Sequence, residues 1–337
     1  TELAKYNLEV NLDPVLLKDQ VFSQLNKDLR GYMAMAKSAL DSIGSHPLLV
    51  GILPTLKNTD LSLDNMAPIE RYHALDKIMS GLKGGEFEFH ISGTDELITR
   101  HNSVMFESVN TSFQVHLQLN PHDFVSKYNW AKVISGPVLA ASTCSPLLLG
   151  KKLWRETRIA LFQQSVDIRQ SKELQREISP RVTFGNQWAK NTLVDIFKED
   201  VVRYKILLNS RLDSDSLAKL DKGLIPKLEA LMVHNGTIYK WNRACYGVTN
   251  KVPHVRIENR YLPSGPTAHD EIANAAFWVG LMIGQPEQYD DVTSMIDFDV
   301  VKSNFLRAAR QGLYAQFEWF DEKQVTAQEL VLNEFIP

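Results

Sequence analysis

Residues 254–267 read HVRIENRYLPSGPT, and in this stretch apolar and charged side chains alternate. Such alternation is typical of a β-strand with one buried face. The charged positions place one carboxylate, Glu258, between two guanidinium groups, Arg256 and Arg260. On a solvent-exposed face this trio is a surface ion pair worth about 0–1 kcal/mol and has no functional meaning. On a face that lines a cavity, the same trio could bind a metal ion together with a phosphate.

Three further stretches share this alternation, namely LEVNL at 8–12, EFEFHI at 86–91 and FQVHLQLN at 113–120. Their polar positions carry Glu, Asn, Gln and His but no lysine, whereas an ordinary solvated sheet face is rich in Lys, Thr and Ser. We therefore predict an α+β fold, in which helices pack behind the apolar face of an antiparallel sheet and a cavity lies before its polar face.

Apolar residues at helical spacing predict the helices that accompany this sheet. Residues 209–225 are predicted to form a polar connection followed by a short helix. Repeats, low-complexity tracts and linker-like segments are missing from the sequence, which favours one domain over 1–337 with a helical insertion around 186–230. The predicted helices cover 14–43, 66–82, 126–143, 188–208, 268–284 and 298–316.

Composition narrows the partners of the protein. The 337 residues carry a net charge of −3, so no basic surface for nucleic acid is indicated. The longest apolar run, AFWVGLMIG at 276–284, is far shorter than the roughly 20 residues that span a bilayer. Cys144 and Cys245 are the only cysteines, which suits a reducing cytosol and gives no disulfide framework. We expect a cytoplasmic protein with small-molecule partners, and the sequence leaves open whether it forms a homo-oligomer.

Each of the other candidate site residues could also have a purely structural role. His116 could bind a metal ion, pair with a carboxylate, or serve only as a polar strand residue. Glu2 and Glu9 are seven residues apart, so they share a face in a helix but not in a strand, and a turn or helix between them is needed for them to converge. The strand at 86–91 presents a second acidic face, for which a surface role is the better interpretation.

Two further segments mix polar and apolar groups, and their composition fits a ligand pocket as well as the protein surface. KWNR at 240–243 fits either a ligand pocket or a surface turn. STCSPLLLG at 142–150 fits a helix end and a turn, after which Arg155 and Arg158 would be solvated. A Walker-type phosphate loop, a dinucleotide-binding GxGxxG and an HExxH zinc motif are all absent from the sequence.

Taken in chain order, several of these stretches resemble the glutamate–cysteine ligase and carboxylate–amine ligase family. The resemblance covers roughly residues 1–290, and its specificity comes from the order of the blocks. The blocks are TELAKYNLEVNLDP at 1–14, SFQVHLQLN at 112–120, AASTCSPLLLG at 140–150, KWNR at 240–243 and HVRIENRYLPSGPT at 254–267.

The resemblance implies a fold like that of glutamine synthetase and the guanidino kinases, in which a curved antiparallel sheet forms a funnel around metal ions and ATP. It also implies an ATP-dependent carboxylate–amine ligase. Such an enzyme phosphorylates a carboxylate, here the γ-carboxylate of glutamate, and an amine such as cysteine then displaces the phosphate. The implied cofactors are ATP and Mg²⁺, with Mn²⁺ as an alternative.

The resemblance also assigns roles to single residues. Glu2, Glu9, His116 and Glu258 match metal-ligand positions. Arg260 matches the phosphate-facing arginine, and Arg158 is a second catalytic candidate. The candidates for nucleotide binding are Arg243, Arg256 and Asn11.

The match departs from the family pattern at its start. The family opens with an acidic strand of the type E-x-E, and these 337 residues begin downstream of it. We therefore expect a chain truncated at its N-terminus or a divergent member with a reduced metal site. Two alternatives to the ligase remain: a homologue that binds nucleotide or amino acid without turnover, and a phosphotransferase that acts on a small carboxylate or guanidino substrate.

Overall fold

The computed structural model describes residues 2–169, 179–208 and 215–336. Helices and small sheets are mixed along the chain, which confirms the predicted α+β class. The α-helices are α1 Val21–Asp41, α2 Glu70–Lys83, α3 Phe124–Val133, α4 Ser135–Ser142, α5 Arg158–Ser165, α6 Leu193–Arg203, α7 Ser216–Asp221, α8 Glu229–Asn235, α9 Ala268–Ile283, α10 Phe298–Gln311 and α11 Ala327–Leu330. The strands are β1 Phe87–Ser92, β2 Glu96–His101, β3 Val115–Leu119, β4 Leu147–Leu148, β5 Lys151–Lys152, β6 Val182–Thr183, β7 Tyr239–Lys240, β8 Asn242–Thr249, β9 Val252–Asn259, β10 Gln316–Glu318 and β11 Gln324–Thr326.

The main sheet consists of β3, β9 and β8, in that order and antiparallel. The other described strands form two-stranded pairs, and β6 with β7 is the parallel one. Because the largest sheet of the described residues has three strands, the curved funnel implied by the resemblance stays a prediction.

Helices cover the apolar side of the main sheet. On β9 the side chain of Ile257 is fully buried. On β8 the carbonyl of Asn242 accepts a hydrogen bond from the hydroxyl of Tyr128 at 3.0 Å, and its amide donates to the carbonyl of Ala131 at 3.1 Å. These two bonds fasten α3 to the sheet, and the polar face is left on the opposite side.

The N-terminal segment differs from the prediction. Residues 7–16 adopt neither helix nor strand, and Leu8 and Val10 are 62% and 44% exposed. The predicted strand at 8–12 is therefore wrong for this structure. The alternation is present, but no described strand pairs with the segment, and an unpaired strand has no face to bury.

Helix positions agree with the prediction and their ends differ. The first helix begins at Val21 rather than near residue 14, and the helical region predicted at 126–143 divides into two helices around Ile134. Helix α6 begins after Thr192, whose hydroxyl and backbone amide both bond the Asp195 carboxylate in a capping box. The helix predicted within 209–225 is α7, while residues 209–214 of the preceding connection lie outside the described residues. No described helix is both long and apolar enough to cross a membrane.

Candidate functional site

Strand register brings the predicted residues of the main sheet together. In the antiparallel pairing, Glu258 lies directly opposite His116 on β3 and opposite Arg243 on β8, and Arg256 lies opposite Gln118. Directly opposite residues of an antiparallel pair point to the same face. Glu258 therefore occupies the middle of a polar patch that spans all three strands.

Two guanidinium groups hold the Glu258 carboxylate. Arg243 Nε lies 2.5 Å from Oε2, Arg260 Nη1 lies 2.8 Å from Oε1, and His116 Nε2 lies 3.6 Å from Oε1. Burial alone would raise the pKa of Glu258, whose side chain is 2% exposed, but the charges of Arg260 and Arg243 outweigh burial and hold the pKa at about 2. The carboxylate is therefore ionised throughout the physiological pH range.

His116 and Arg256 extend the cluster toward solvent. Arg256 Nε donates to His116 Nδ1 at 3.1 Å, which requires that nitrogen to be an unprotonated acceptor. Burial lowers the pKa of His116, with Arg256 adding to the effect and the charge of Glu258 opposing it. A neutral imidazole then carries its proton on Nε2 and turns it toward Glu258. With three arginines and one carboxylate, this patch, the Glu258 cluster, is suited to anions.

Cys245 lies at the base of the Glu258 cluster, a position that the alternation did not predict. Its Sγ is 3.7 Å from Glu258 Oε2. Burial, with the nearby charge of Glu258, raises the pKa of the thiol to about 11. The thiol stays protonated at neutral pH, so the chemistry of a cysteine nucleophile is not available there.

Glu2 and Glu9 meet in the structure because the chain turns between them. In this turn Asn7 N donates to Ala4 O at 3.1 Å. Burial raises the pKa of Glu2 to about 8, and its hydrogen bond with Glu9 and the charge of Glu107 contribute. This turn at 4–7 is the feature that convergence required, and it precedes the segment 8–12 in which a strand was predicted.

Glu107 is a candidate site residue that sequence reasoning missed. It lies on a short 3₁₀ helix, Val104–Val109, and burial raises its pKa to about 7 although the charge of Arg260 acts to lower it. The charge of Arg260 therefore acts on the pKa of Glu107 as well as on that of Glu258. The segment MFESVN has no strand alternation that could have marked Glu107 as a site residue.

Arg158 is buried rather than solvated. Its Nη1 donates to Glu156 Oε1 at 3.1 Å and to the carbonyl of Tyr261 at 3.2 Å. Glu156 is itself fully buried and also accepts from the Ser145 hydroxyl at 2.7 Å. The surface alternative for Arg158 is wrong, and its catalytic role stays a prediction. Asn11 lies in the exposed segment 7–16, and its role in nucleotide binding also stays a prediction.

Comparison with models of protein families identifies the family of the chain. A family model described as Glutamate-cysteine ligase family 2 (GCS2) matches residues 1–334. The chain belongs to this family. The resemblance seen in the sequence blocks is thereby confirmed, and membership of GCS2 implies ATP-dependent ligase activity in the broad sense. No curated protein matches the sequence.

Members of a ligase family that uses ATP generally require Mg²⁺, so the fit of the predicted ligands matters. Carboxylates suit Mg²⁺, and an imidazole leaves room for Mn²⁺. However, both oxygens of Glu258 already accept guanidinium hydrogens, and no three Asp, Glu, His or Cys side chains of the described residues are grouped closely enough to hold a metal ion. As arranged, these residues do not form a metal site. The roles of Glu2, Glu9, His116 and Glu258 as metal ligands stay predictions.

Proposed function

We propose that this GCS2 member is an ATP-dependent carboxylate–amine ligase that joins the γ-carboxylate of glutamate to a small amine such as cysteine. The observation that carries the proposal is the Glu258 cluster, in which Arg243 of β8 and Arg260, directly after β9, hold one buried carboxylate on the polar face of the main sheet. The family match supports the reaction class.

In the proposed reaction, an oxygen of the substrate carboxylate attacks the γ-phosphorus of ATP. The bond between that phosphorus and the bridging oxygen breaks, ADP leaves, and an acyl phosphate forms. The amine nitrogen then attacks the acyl carbon, the carbon–oxygen bond to phosphate breaks, and the amine loses a proton. No covalent bond to the protein is needed, so the buried thiol of Cys245 is no objection.

The arginines would act on the transferred phosphoryl group. A guanidinium donates two parallel hydrogen bonds to phosphate oxygens and offsets the charge that these carry during transfer. Glu258 would fix the planes of Arg243 and Arg260 before the ligand arrives, which lowers the ordering cost of binding. We propose ATP with Mg²⁺ or Mn²⁺ as cofactors and assign no step to the metal.

A binding protein without turnover is the second candidate. It is favoured by one observation, namely that two arginines already engage Glu258 while the described residues provide no group of three metal donors. Such a protein would bind nucleotide through the same arginines and release no ADP.

The test is ADP release with ATP and Mg²⁺ or Mn²⁺, measured with glutamate alone and with glutamate plus a panel of small amines. A ligase requires both the acid and the amine. Release without an amine would identify a phosphotransferase, and nucleotide binding without release would identify the binding protein. Glu258→Gln should abolish release, whereas the matched control Glu88→Gln removes an exposed carboxylate paired with Arg100 on another sheet and should leave it unchanged.

A further inference from the structure

Tyr239, on β7, lies beside the Glu258 cluster. Its ring meets the buried ring of Phe162 edge-on, with the two centroids 5.3 Å apart. The guanidinium carbon of Arg260, Cζ, lies over the same ring at 5.9 Å from its centroid. The backbone amide of Tyr239 donates to the carbonyl of Arg181 at 2.8 Å, next to the pairing of β7 with β6. Backbone and ring together hold this tyrosine against the arginine that pairs with Glu258.

The hydroxyl of Tyr239 makes no hydrogen bond within the described part of the chain, although the side chain is half-buried. Two other tyrosines at the main sheet differ in this respect. Tyr128 donates to the carbonyl of Asn242 at 3.0 Å, and Tyr246 donates to the carbonyl of Pro226 at 2.9 Å. Burial raises the pKa of Tyr239, so its hydroxyl stays protonated at neutral pH and is a hydrogen-bond donor. This donor is available to a ligand.

The two arginines that hold Glu258 also keep donors free. Arg243 bonds Glu258 through Nε and a backbone carbonyl through Nη1, while Arg260 bonds Glu258 and Gln114 through Nη1 alone. Among the described residues, no protein atom accepts from Nη2 of either arginine, and Nε of Arg260 is buried without a partner. The charges of both arginines act on the pKa of Tyr239 and oppose the effect of burial. Three side chains with free donors therefore lie within electrostatic reach of one another.

We propose that the Tyr239 hydroxyl donates a hydrogen bond, beside Arg243 and Arg260, to the phosphoryl group that the ligase transfers; this inference rests on the proposed function. A phosphoryl group presents three strong acceptor oxygens, and two guanidinium groups with one phenol supply a donor for each of them. The phenol adds its hydrogen bond without adding a positive charge. In this role Tyr239 touches the transferred group itself.

The test is Tyr239→Phe, which removes the hydroxyl and keeps the ring that packs on Phe162 and Arg260. Calorimetry with inorganic tripolyphosphate measures phosphate binding without turnover. We expect the variant to bind this probe about tenfold more weakly than wild type, the loss expected for one hydrogen bond to a charged oxygen. In the kinetic assay, kcat/KM for ADP release should fall at least as far. Tyr246→Phe is the matched control, because it removes the same atom from a tyrosine that bonds a backbone carbonyl outside the cluster.

The outcomes separate this role from the ligase activity. Equal affinity of wild type and Tyr239→Phe for tripolyphosphate, or no binding by wild type, would overturn the role of Tyr239 even if the protein releases ADP. An equal loss in Tyr246→Phe would also overturn it, because the effect would not be specific to the site. A loss confined to Tyr239→Phe, with the fold verified by circular dichroism, would support Tyr239 as a phosphate donor. That support would stand even if wild type released no ADP, a result that would refute only the ligase.

Discussion

Replacing Glu258 by Gln tests the electrostatics of the site directly. The change keeps the shape of the side chain but removes the charge that compensates two largely buried guanidinium groups. The lowering of the Glu258 pKa from 4.5 to about 2 corresponds to about 3 kcal/mol of stabilisation, at 1.36 kcal/mol per pKa unit. Breaking a buried ion pair by removing one partner costs about 3–5 kcal/mol in other proteins. We therefore expect the free energy of unfolding to fall by about 3–5 kcal/mol at pH 7.

The same reasoning fixes the pH dependence of this loss. The folded-state pKa is depressed, so the stabilisation is fully present above pH 4.5 and is lost as the pH falls toward 2. Urea unfolding of wild type and Glu258→Gln, followed by tryptophan fluorescence, should give curves that converge below pH 4.5. The exposed-pair control Glu88→Gln should change stability by less than about 1 kcal/mol. A loss under 1 kcal/mol for Glu258→Gln at pH 7, or one independent of pH, would refute the reasoning.

Three other predictions concern separate groups. Arg260→Lys should lower kcat/KM for ADP release about 10- to 100-fold, because an ammonium cannot reproduce the paired guanidinium hydrogen bonds; near-normal kinetics would make Arg260 purely structural. Burial lowers the pKa of Lys132 to about 7, so the unfolded chain binds this proton more tightly than the folded protein. The free energy of unfolding should therefore rise between pH 7 and 10. Lys132→Met should flatten that rise in thermal melts, and an unchanged slope in this variant would contradict the prediction. Glu156→Ala should lower the free energy of unfolding by about 3–5 kcal/mol, because it leaves Arg158 buried without its carboxylate partner. In a double-mutant cycle with Arg158→Met, the two losses of stability should be strongly coupled rather than additive.

The parts of the fold that were predictable depend on local pattern. Alternation along 113–120 and 255–262 placed β3 and β9, and it correctly put His116, Arg256 and Glu258 on one polar face. Alternation reports which face a residue occupies, and antiparallel pairing then aligns those faces without further information.

The parts that were not predictable depend on partners distant in sequence. The segment 8–12 has the same alternation but lacks a described strand to pair with. Glu156 reaches its buried position in a turn and Glu107 lies on a 3₁₀ helix, and neither element has a residue periodicity that would mark such a position. The burial of Arg158 follows from Glu156, so neither could be recognised from its own neighbours in the sequence.

The ion pair between Arg260 and Glu258 has a consequence for every anion that enters the site. The guanidinium already has a tethered anion on Nη1, so an incoming phosphate shares this group with Glu258. The tethered carboxylate is present at high effective concentration, so part of the charge of the arginine is compensated before a ligand arrives. A singly charged ion such as chloride therefore gains little from this arginine, whereas a polyphosphate that reaches several arginines at once gains at each of them. The internal counterion therefore acts as a filter that selects ligands by charge and by number of contacts.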